Sequence, residues 1–101
     1  MSELEPLSFS LGEVLRGLGM DEPELFIELV EGWEQVAGEL WAVHGRPMSL
    51  RQGELVVEVA DGAAAGVLRY AISALLRSIE ERFGAGRVAS VRIQVGRPAR
   101  P

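Results

Sequence analysis

Apolar and polar residues alternate along this chain with two different periods, and the period changes from one segment to the next. Spacings of three and four are typical of helices that bury one face, whereas strict alternation is typical of half-buried strands. Helical spacing marks three segments, and strand-like patterns mark three others. The pattern therefore predicts the element order α-α-β-β-α-β.

The first predicted helix follows residue 10. Ser10 and Glu13 have the spacing of a capping box, and Gly19 is a typical C-terminal stop. We expect the apolar stripe of this helix to face the core. The stripe consists of Leu11, Val14, Leu15 and Leu18.

The second predicted helix is the longest. It begins at residues 21–24, where acidic side chains suit the helix dipole, and it ends near His44 because Pro47 cannot continue it. Gly32 and Gly38 each cost about 1 kcal/mol of helix propensity relative to alanine. We therefore expect another segment to approach the backbone closely at these glycines, with core packing favoured over ligand contact. The apolar stripe comprises Leu25, Phe26, Leu29, Val30, Trp33, Val36, Ala37, Leu40, Trp41 and His44.

The first two predicted strands surround a tight turn. A short strand at 48–50 leads to a turn at 51–54 in which Gly53 supplies a positive φ, and a second strand covers 54–60. In that second strand Leu55, Val57 and Val59 are expected to face inward, and Glu54, Val56 and Glu58 outward.

The third helix and the last strand complete the order. Asp61-Gly62 ends the second strand and is placed to cap the third helix, which stops at 84–86. The helix stripe comprises Ala64, Val67, Leu68, Ala71, Ile72, Leu75, Leu76, Ile79 and Phe83. The last strand, 87–95, is expected to bury Ala89, Val91, Ile93 and Val95.

Three amphipathic strands need a cover on one face, and the helices supply it. The sequence thus predicts an α+β fold of two layers, with a three-stranded sheet and helices on one face. A length of 101 residues favours one domain, which we assign to 1–96, followed by a short flexible Arg/Pro tail at 97–101. The pairing direction of the last strand and the oligomeric state stay open.

Composition narrows the class of protein. Hydrophobic residues make up 48% of the chain, which argues against disorder, and no apolar run is long enough to cross a membrane. The acidic N-terminus lacks the apolar core of a signal peptide. We expect a cytoplasmic protein with no membrane partner.

Charge is divided unevenly. Residues 1–40 carry ten acidic side chains against Arg16, whereas residues 41–101 carry five acidic side chains against nine arginines, and these balances of −9 and +4 sum to −5. The acidic half repels a phosphate backbone and suits a basic protein partner. A solvated helix face is the simpler interpretation of most of these charges.

Catalytic and cofactor sites are not predicted. His44 is the single histidine and cysteine is absent, so the sequence offers no metal-ligand cluster. The glycines at 62 and 66 lack the lysine and hydroxyl of a phosphate-binding loop. We expect a non-enzymatic protein without cofactors.

Several short motifs stand in a fixed order in the middle of the chain. They are Gly32-Trp33, Val36-Ala37-Gly38, His44-Gly45-Arg46-Pro47, Leu50, Gly53-Glu54-Leu55 and Val57-Glu58-Val59. In this order they resemble the DciA family, bacterial proteins tied to loading the replicative DNA helicase. The resemblance extends from about Pro23 to Val95 and implies a KH-like fold. It also implies a protein-interaction module in replication initiation whose partner is the replicative helicase.

The arginines are the residues of this chain that could bind nucleic acid. An alternative function is therefore a domain that contacts the phosphate backbone of single-stranded or forked DNA through an arginine strip. The candidate residues are Arg69, Arg77, Arg87, Arg92, Arg97 and Arg100. A helix–GxxG–helix element is lacking, so KH-type RNA binding is not implied.

Trp41 is the candidate contact for a protein partner, because tryptophan is enriched in binding hot spots. It shares the apolar stripe with Trp33, and core packing is the favoured interpretation of both. A third possible function is a scaffold that dimerises through the open sheet face or an edge strand.

Overall fold

The structure is a computed structural model that describes residues 10–96. Two layers are present, one of helices and one of strands. Along the chain the elements are α1 (Leu11–Gly17), α2 (Pro23–Glu31), α3 (Trp33–Ala37), α4 (Glu39–His44), β1 (Gly45–Arg51), β2 (Glu54–Val59), α5 (Gly62–Arg69), α6 (Ile72–Phe83) and β3 (Ser90–Val95).

The three strands form one mixed sheet in the order β1-β2-β3. β1 pairs antiparallel with β2, with a bulge between Pro47 and Ser49, and β2 pairs parallel with β3. The tight turn between β1 and β2 has positive φ angles of 51° at Gln52 and 78° at Gly53, as a two-residue hairpin requires. The predicted α+β class, the helical cover and the general order of elements are confirmed.

The core lies between the sheet and the helices. Trp33, Leu55 and Leu75 belong to one buried cluster, and Ile93 packs against it half-buried. Val56 faces the opposite side of the sheet as expected, yet it is buried as well. Its partners in the sheet register are Ser49 on β1 and Arg92 on β3.

The long second helix is not continuous, which corrects the expectation from its periodicity. Its single apolar stripe is carried by α2, α3 and α4, which are separated at Gly32 and Gly38. Gly38 has φ 92° and ψ 170°, a conformation that essentially only glycine adopts. A Cβ atom on Gly38 would meet no atom within 4 Å, so backbone conformation explains this glycine and a close approach does not.

The third helix is also interrupted. Asp61 caps α5 as predicted, accepting a hydrogen bond from the Ala64 backbone N–H at 2.9 Å. The chain then leaves α-helical geometry at Tyr70 and Ala71 before α6 begins. No glycine or proline marks this break, so the sequence pattern carried no sign of it.

Strand bounds differ from the predicted ones at both edges of the sheet. β1 is longer than expected and includes Pro47, which an edge strand tolerates. β3 is shorter, since it starts at Ser90 and leaves Ala89 exposed in the preceding loop. Val95 is also exposed, so the inner face of β3 is only partly covered.

α1 begins with the predicted capping box between Ser10 and Glu13. The expectation that its apolar stripe faces the core is wrong. Gly12 is the buried residue of this helix, Leu15 is half-buried, and the other apolar side chains point to solvent.

No helix within residues 10–96 combines the length and apolar character that crossing a membrane requires.

Candidate functional site

The sheet face opposite the helices carries both signs of charge. Arg46 on β1 forms an ion pair with Glu58 on β2, with 3.0 Å between guanidinium nitrogen and carboxylate oxygen. Arg92 on β3 lies 3.5 Å from Glu54 at the other end of β2. These pairs join neighbouring strands side by side, so most of the positive charge on this face is matched by a carboxylate.

Arg51, at the end of β1, has a structural role. Its guanidinium donates a hydrogen bond to the Leu18 carbonyl at 3.1 Å, and the neighbouring Gln52 N–H donates to the Asp21 carboxylate at 3.2 Å. The β1–β2 turn therefore holds the loop that connects α1 to α2. Neither Arg46 nor Arg51 was a candidate from the sequence, because the predicted strand covered only 48–50 and left both residues outside it.

The predicted arginine strip is divided between the two layers. Arg92 lies on the open sheet face, whereas Arg69 and Arg77 are exposed on α5 and α6 in the helical layer. Arg87 precedes β3 and pairs with Glu22, donating to its carboxylate from Nε at 3.2 Å and also from Nη2. The structure therefore does not bring these four arginines onto one surface. Arg97 and Arg100, with the predicted tail, lie outside the described residues.

Trp41 is not exposed, so the hypothesis of a surface tryptophan at a partner interface is wrong. Its relative exposure is 2%, and its ring meets that of Trp33 edge to face, with centroids 6.2 Å apart. The Trp33 indole N–H donates to the carbonyls of Trp41 and Gly45 at 3.3 and 3.1 Å. Both tryptophans are core residues that hold α4 against the preceding helices.

A surface rich in carboxylates covers the solvent side of α2, α3 and α4. We call it the acidic surface, and it consists of Glu28, Glu31, Glu34 and Glu39. All four side chains are exposed, and none forms an ion pair with another described residue. Beside it, Glu28 and Glu31 line a shallow cleft of about 500 Å³ that Arg82 and Phe83 of α6 close on the far side.

Glu24 differs from the acidic surface because it has partners. Its carboxylate accepts two hydrogen bonds of 3.0 Å from Arg16, which ties α1 to the start of α2. The backbone N–H of Glu24 itself lowers the pKa of this carboxyl most, and the hydrogen bond from Arg16 lowers it further. The Glu24 side chain is largely exposed, so solvent weakens its ion pair with Arg16.

A second cleft, of about 250 Å³, lies between α1 and α2. Its walls are apolar apart from one carboxylate. They are formed by Leu11, Leu15, Phe26, Ile27, Val30 and Glu31. Sequence periodicity did not reveal this cleft, since it placed the α1 stripe in the core.

Within residues 10–96 no group of three or more histidine, cysteine or acidic side chains is arranged to hold a metal ion. His44 is exposed in the last turn of α4.

Comparison with protein families gives one match. A family model described as "Dna[CI] antecedent, DciA" matches residues 6–93 of the 101-residue chain. No curated protein sequence matches the chain.

Proposed function

We propose that this chain, which belongs to the DciA family, is a non-enzymatic interaction module that assists the loading of the replicative DNA helicase. The family is associated with helicase loading in the initiation of DNA replication. The match over residues 6–93 carries the proposal, because it covers nearly all of the described domain instead of a single motif. We place this activity in the cytoplasm.

The charge distribution supports a protein as the principal partner. The acidic surface leaves four carboxylates without ion pairs among the described residues. Such a surface repels the phosphate backbone of DNA and attracts a basic patch on a protein. This attraction raises the rate at which the two proteins associate and favours one orientation of docking. The helicase contact is therefore assigned to the side of the molecule that α2, α3 and α4 form.

The test is loading of the purified helicase from the same organism onto forked DNA, with and without the full chain. We expect the chain to increase the fraction of helicase bound to the fork, and to do so without hydrolysing nucleotide itself. The triple variant E28K/E31K/E34K should lose most of this effect, whereas the matched variant R69E/R77E should keep it. Helicase loading that does not respond to the wild-type chain contradicts the proposal.

A second candidate function is contact with single-stranded or forked DNA through the open sheet face. Three arginines on or at the end of this face favour it, namely Arg46, Arg51 and Arg92, although Glu54 and Glu58 reduce its net charge to +1. Fluorescence anisotropy with labelled single-stranded DNA at two salt concentrations measures this directly, since phosphate contacts weaken steeply with salt.

The expected result for DNA contact is weak binding at low salt that R46E/R92E abolishes. The matched variant R77E, which changes an arginine of the helical layer, should bind as the wild type does. Equal binding by R46E/R92E and wild type removes the sheet face as the DNA contact.

A further inference from the structure

The apolar side chains of α1 point away from the core. Leu11, Val14 and Leu18 are 57%, 45% and 64% exposed, and Val30 of α2, beside them in the same cleft wall as Leu11, is 46% exposed. We call these four side chains the α1 ridge. Isolated exposed aliphatic residues are common, but a contiguous patch beside a cleft marks a site of macromolecular contact.

The orientation of α1 is fixed by contacts on its other side. Gly12 lies so close to α2 that a Cβ atom there would come within 3.1 Å of a Glu24 carboxylate oxygen. Arg16 holds the same carboxylate, and Arg51 holds the Leu18 carbonyl at the end of the helix. Turning α1 to bury its ridge would break these contacts, so exposure of the ridge is a property of the fold.

The cleft beside the ridge accepts apolar side chains. Its volume is about 250 Å³, and Leu15, Phe26 and Ile27 form its floor together with two members of the ridge. Ridge and cleft together make an apolar groove between two helices, the geometry that binds one face of an amphipathic helix.

The rim of this groove is acidic. Glu31 lines the cleft itself, and Glu28 lies one turn before it on the exposed side of α2, where it lines the neighbouring cleft toward α6. Neither carboxylate forms an ion pair with another described residue. A helix with an apolar face could pack in the groove, and lysine or arginine beside that face would be attracted to the carboxylates of the rim.

We propose that the α1 ridge and the adjoining cleft are the docking site for a basic amphipathic helix of a partner protein. This inference rests on the proposed function, because it takes that helix to belong to the replicative helicase. It deepens that function by naming the surface and the chemistry of the segment that binds there.

Charge disfavours two other occupants, a second copy of the chain and the segment before Ser10. A second copy of this chain would bring a second acidic rim, in a molecule whose net charge is −5. The nine residues before Ser10 contain two glutamates and no arginine or lysine, so they offer no basic side chain to the rim.

The first experiment probes the groove without the helicase. The full chain, labelled with ¹⁵N, is titrated with a synthetic helical peptide that has leucines at positions i, i+3, i+4 and i+7 and lysines elsewhere. We expect amide shifts concentrated in α1 and α2, and at least tenfold weaker binding by V14E/L18E. The control peptide keeps the leucines and replaces every lysine with glutamate, and it should bind at least tenfold more weakly.

The matched protein control is V43E/V67E, which places the same charges on exposed valines of α4 and α5 beside a different cleft. It should bind the lysine peptide within twofold of the wild type. Shifts that appear around Val43 and Val67 instead of α1 and α2, or no shifts at all, overturn the proposal. Concentration-dependent shifts in α1 without peptide also overturn it, in favour of self-association.

The second experiment measures the affinity of the full chain for the purified helicase. We expect V14E/L18E to weaken binding at least tenfold and E28K/E31K at least fivefold, whereas E80K/E81K on α6 stays within twofold. The E28K/E31K variant keeps every apolar side chain of the groove and changes no residue of α1, so its effect does not depend on how well α1 folds in V14E/L18E.

The two experiments separate the two proposals. If the wild-type chain does not bind the helicase but the lysine peptide binds at α1 and α2, the proposed function is wrong and the groove stands. If the wild-type chain binds the helicase and both V14E/L18E and E28K/E31K bind equally well, the function stands and the groove is wrong.

Discussion

At the scale of single residues, Trp33 of α3 contacts α4 and the start of β1, which a continuous helix would hold farther away. In a continuous helix Trp33 and Trp41 would be separated by about 12 Å along the axis, at about 1.5 Å per residue. The break at Gly38 allows their ring centroids to approach to 6.2 Å. The indole N–H of Trp33 then donates to the carbonyls of Trp41, in α4, and Gly45, the first residue of β1.

Replacing Trp33 with phenylalanine tests this role. W33F keeps an aromatic ring but loses the hydrogen bond that the single indole N–H shares between two carbonyls. A hydrogen bond contributes about 0.5–1.5 kcal/mol, so we expect its loss to lower the free energy of unfolding by about that amount. W41F removes the same volume from the core and keeps the Trp33 hydrogen bond, so it should cost less. Urea denaturation measures both, and equal stability of W33F and wild type would rule out this role.

Glu24 gives a pH dependence whose sign follows from its lowered pKa. Because the folded state holds the carboxylate more firmly than the unfolded state, its contribution to stability is present above the ordinary glutamate pKa. It is lost as the pH falls through the lowered folded value. In R16Q the pKa should rise only part of the way to its ordinary value, since the backbone N–H is the larger cause. Side-chain carboxyl NMR titration checks this, and a fully restored pKa would contradict it.

At the scale of secondary structure, the interruptions of the helices decide the shape of the core. Gly38 turns the chain so that α4 folds back beside α3 with its single buried tryptophan facing inward. The break at Tyr70 and Ala71 similarly redirects α6, whose Ser78 hydroxyl donates to the Val36 carbonyl of α3. The helical layer is thus a set of short segments that can follow the twisted surface of the sheet.

Alanine at Gly38 tests the helix break. The φ of 92° with ψ of 170° is strained for any residue with a Cβ atom, so we expect G38A to lose about 1–3 kcal/mol of stability. The matched control is G66A in α5, where a Cβ atom meets nothing within 4 Å and helix propensity favours alanine by up to about 1 kcal/mol. If thermal denaturation shows G38A to be as stable as G66A, the conformation at Gly38 is not required.

The sequence predicted what depends on local chemistry. The capping residues Ser10 and Asp61, the glycine turn at Gly53 and the alternation of β2 all act within a few residues, and they are as predicted. Periodicity could not show that the apolar stripe of residues 25–44 belongs to three helices. The helical spacing of three and four continues across Gly32 and Gly38, where the helices are interrupted. The break at Tyr70 and Ala71 contains neither glycine nor proline, so nothing in the sequence indicated it.

The candidate site was harder to predict than the fold. Which arginines share a surface depends on the bulge in β1 and on the parallel pairing of β3, both of which are tertiary properties. The exposed Leu18 has its carbonyl held by Arg51 of β1, and this contact between distant segments could not be deduced from an apolar stripe alone. The exposure of the glutamates on α2 and α3 is the one feature of the candidate site that the sequence pattern predicted directly.

At the scale of the whole molecule, charge and apolar surface divide the domain into two sides. The sheet side presents arginines that are matched mainly by carboxylates of β2. The side of α1 and α2 presents an apolar groove with an acidic rim, and the acidic surface continues from this rim along α3 and α4. This division favours a protein partner on the helical side and leaves the opposite side as the candidate surface for nucleic acid.

The most direct test of this account is the binding isotherm between the full chain and the purified replicative helicase, measured after nuclease treatment so that no DNA bridges them. The account predicts saturable binding that E28K/E31K/E34K weakens at least tenfold and that R69E/R77E leaves within twofold. Helicase binding that vanishes with the nucleic acid, or that depends on the arginines and ignores the glutamates, would contradict it.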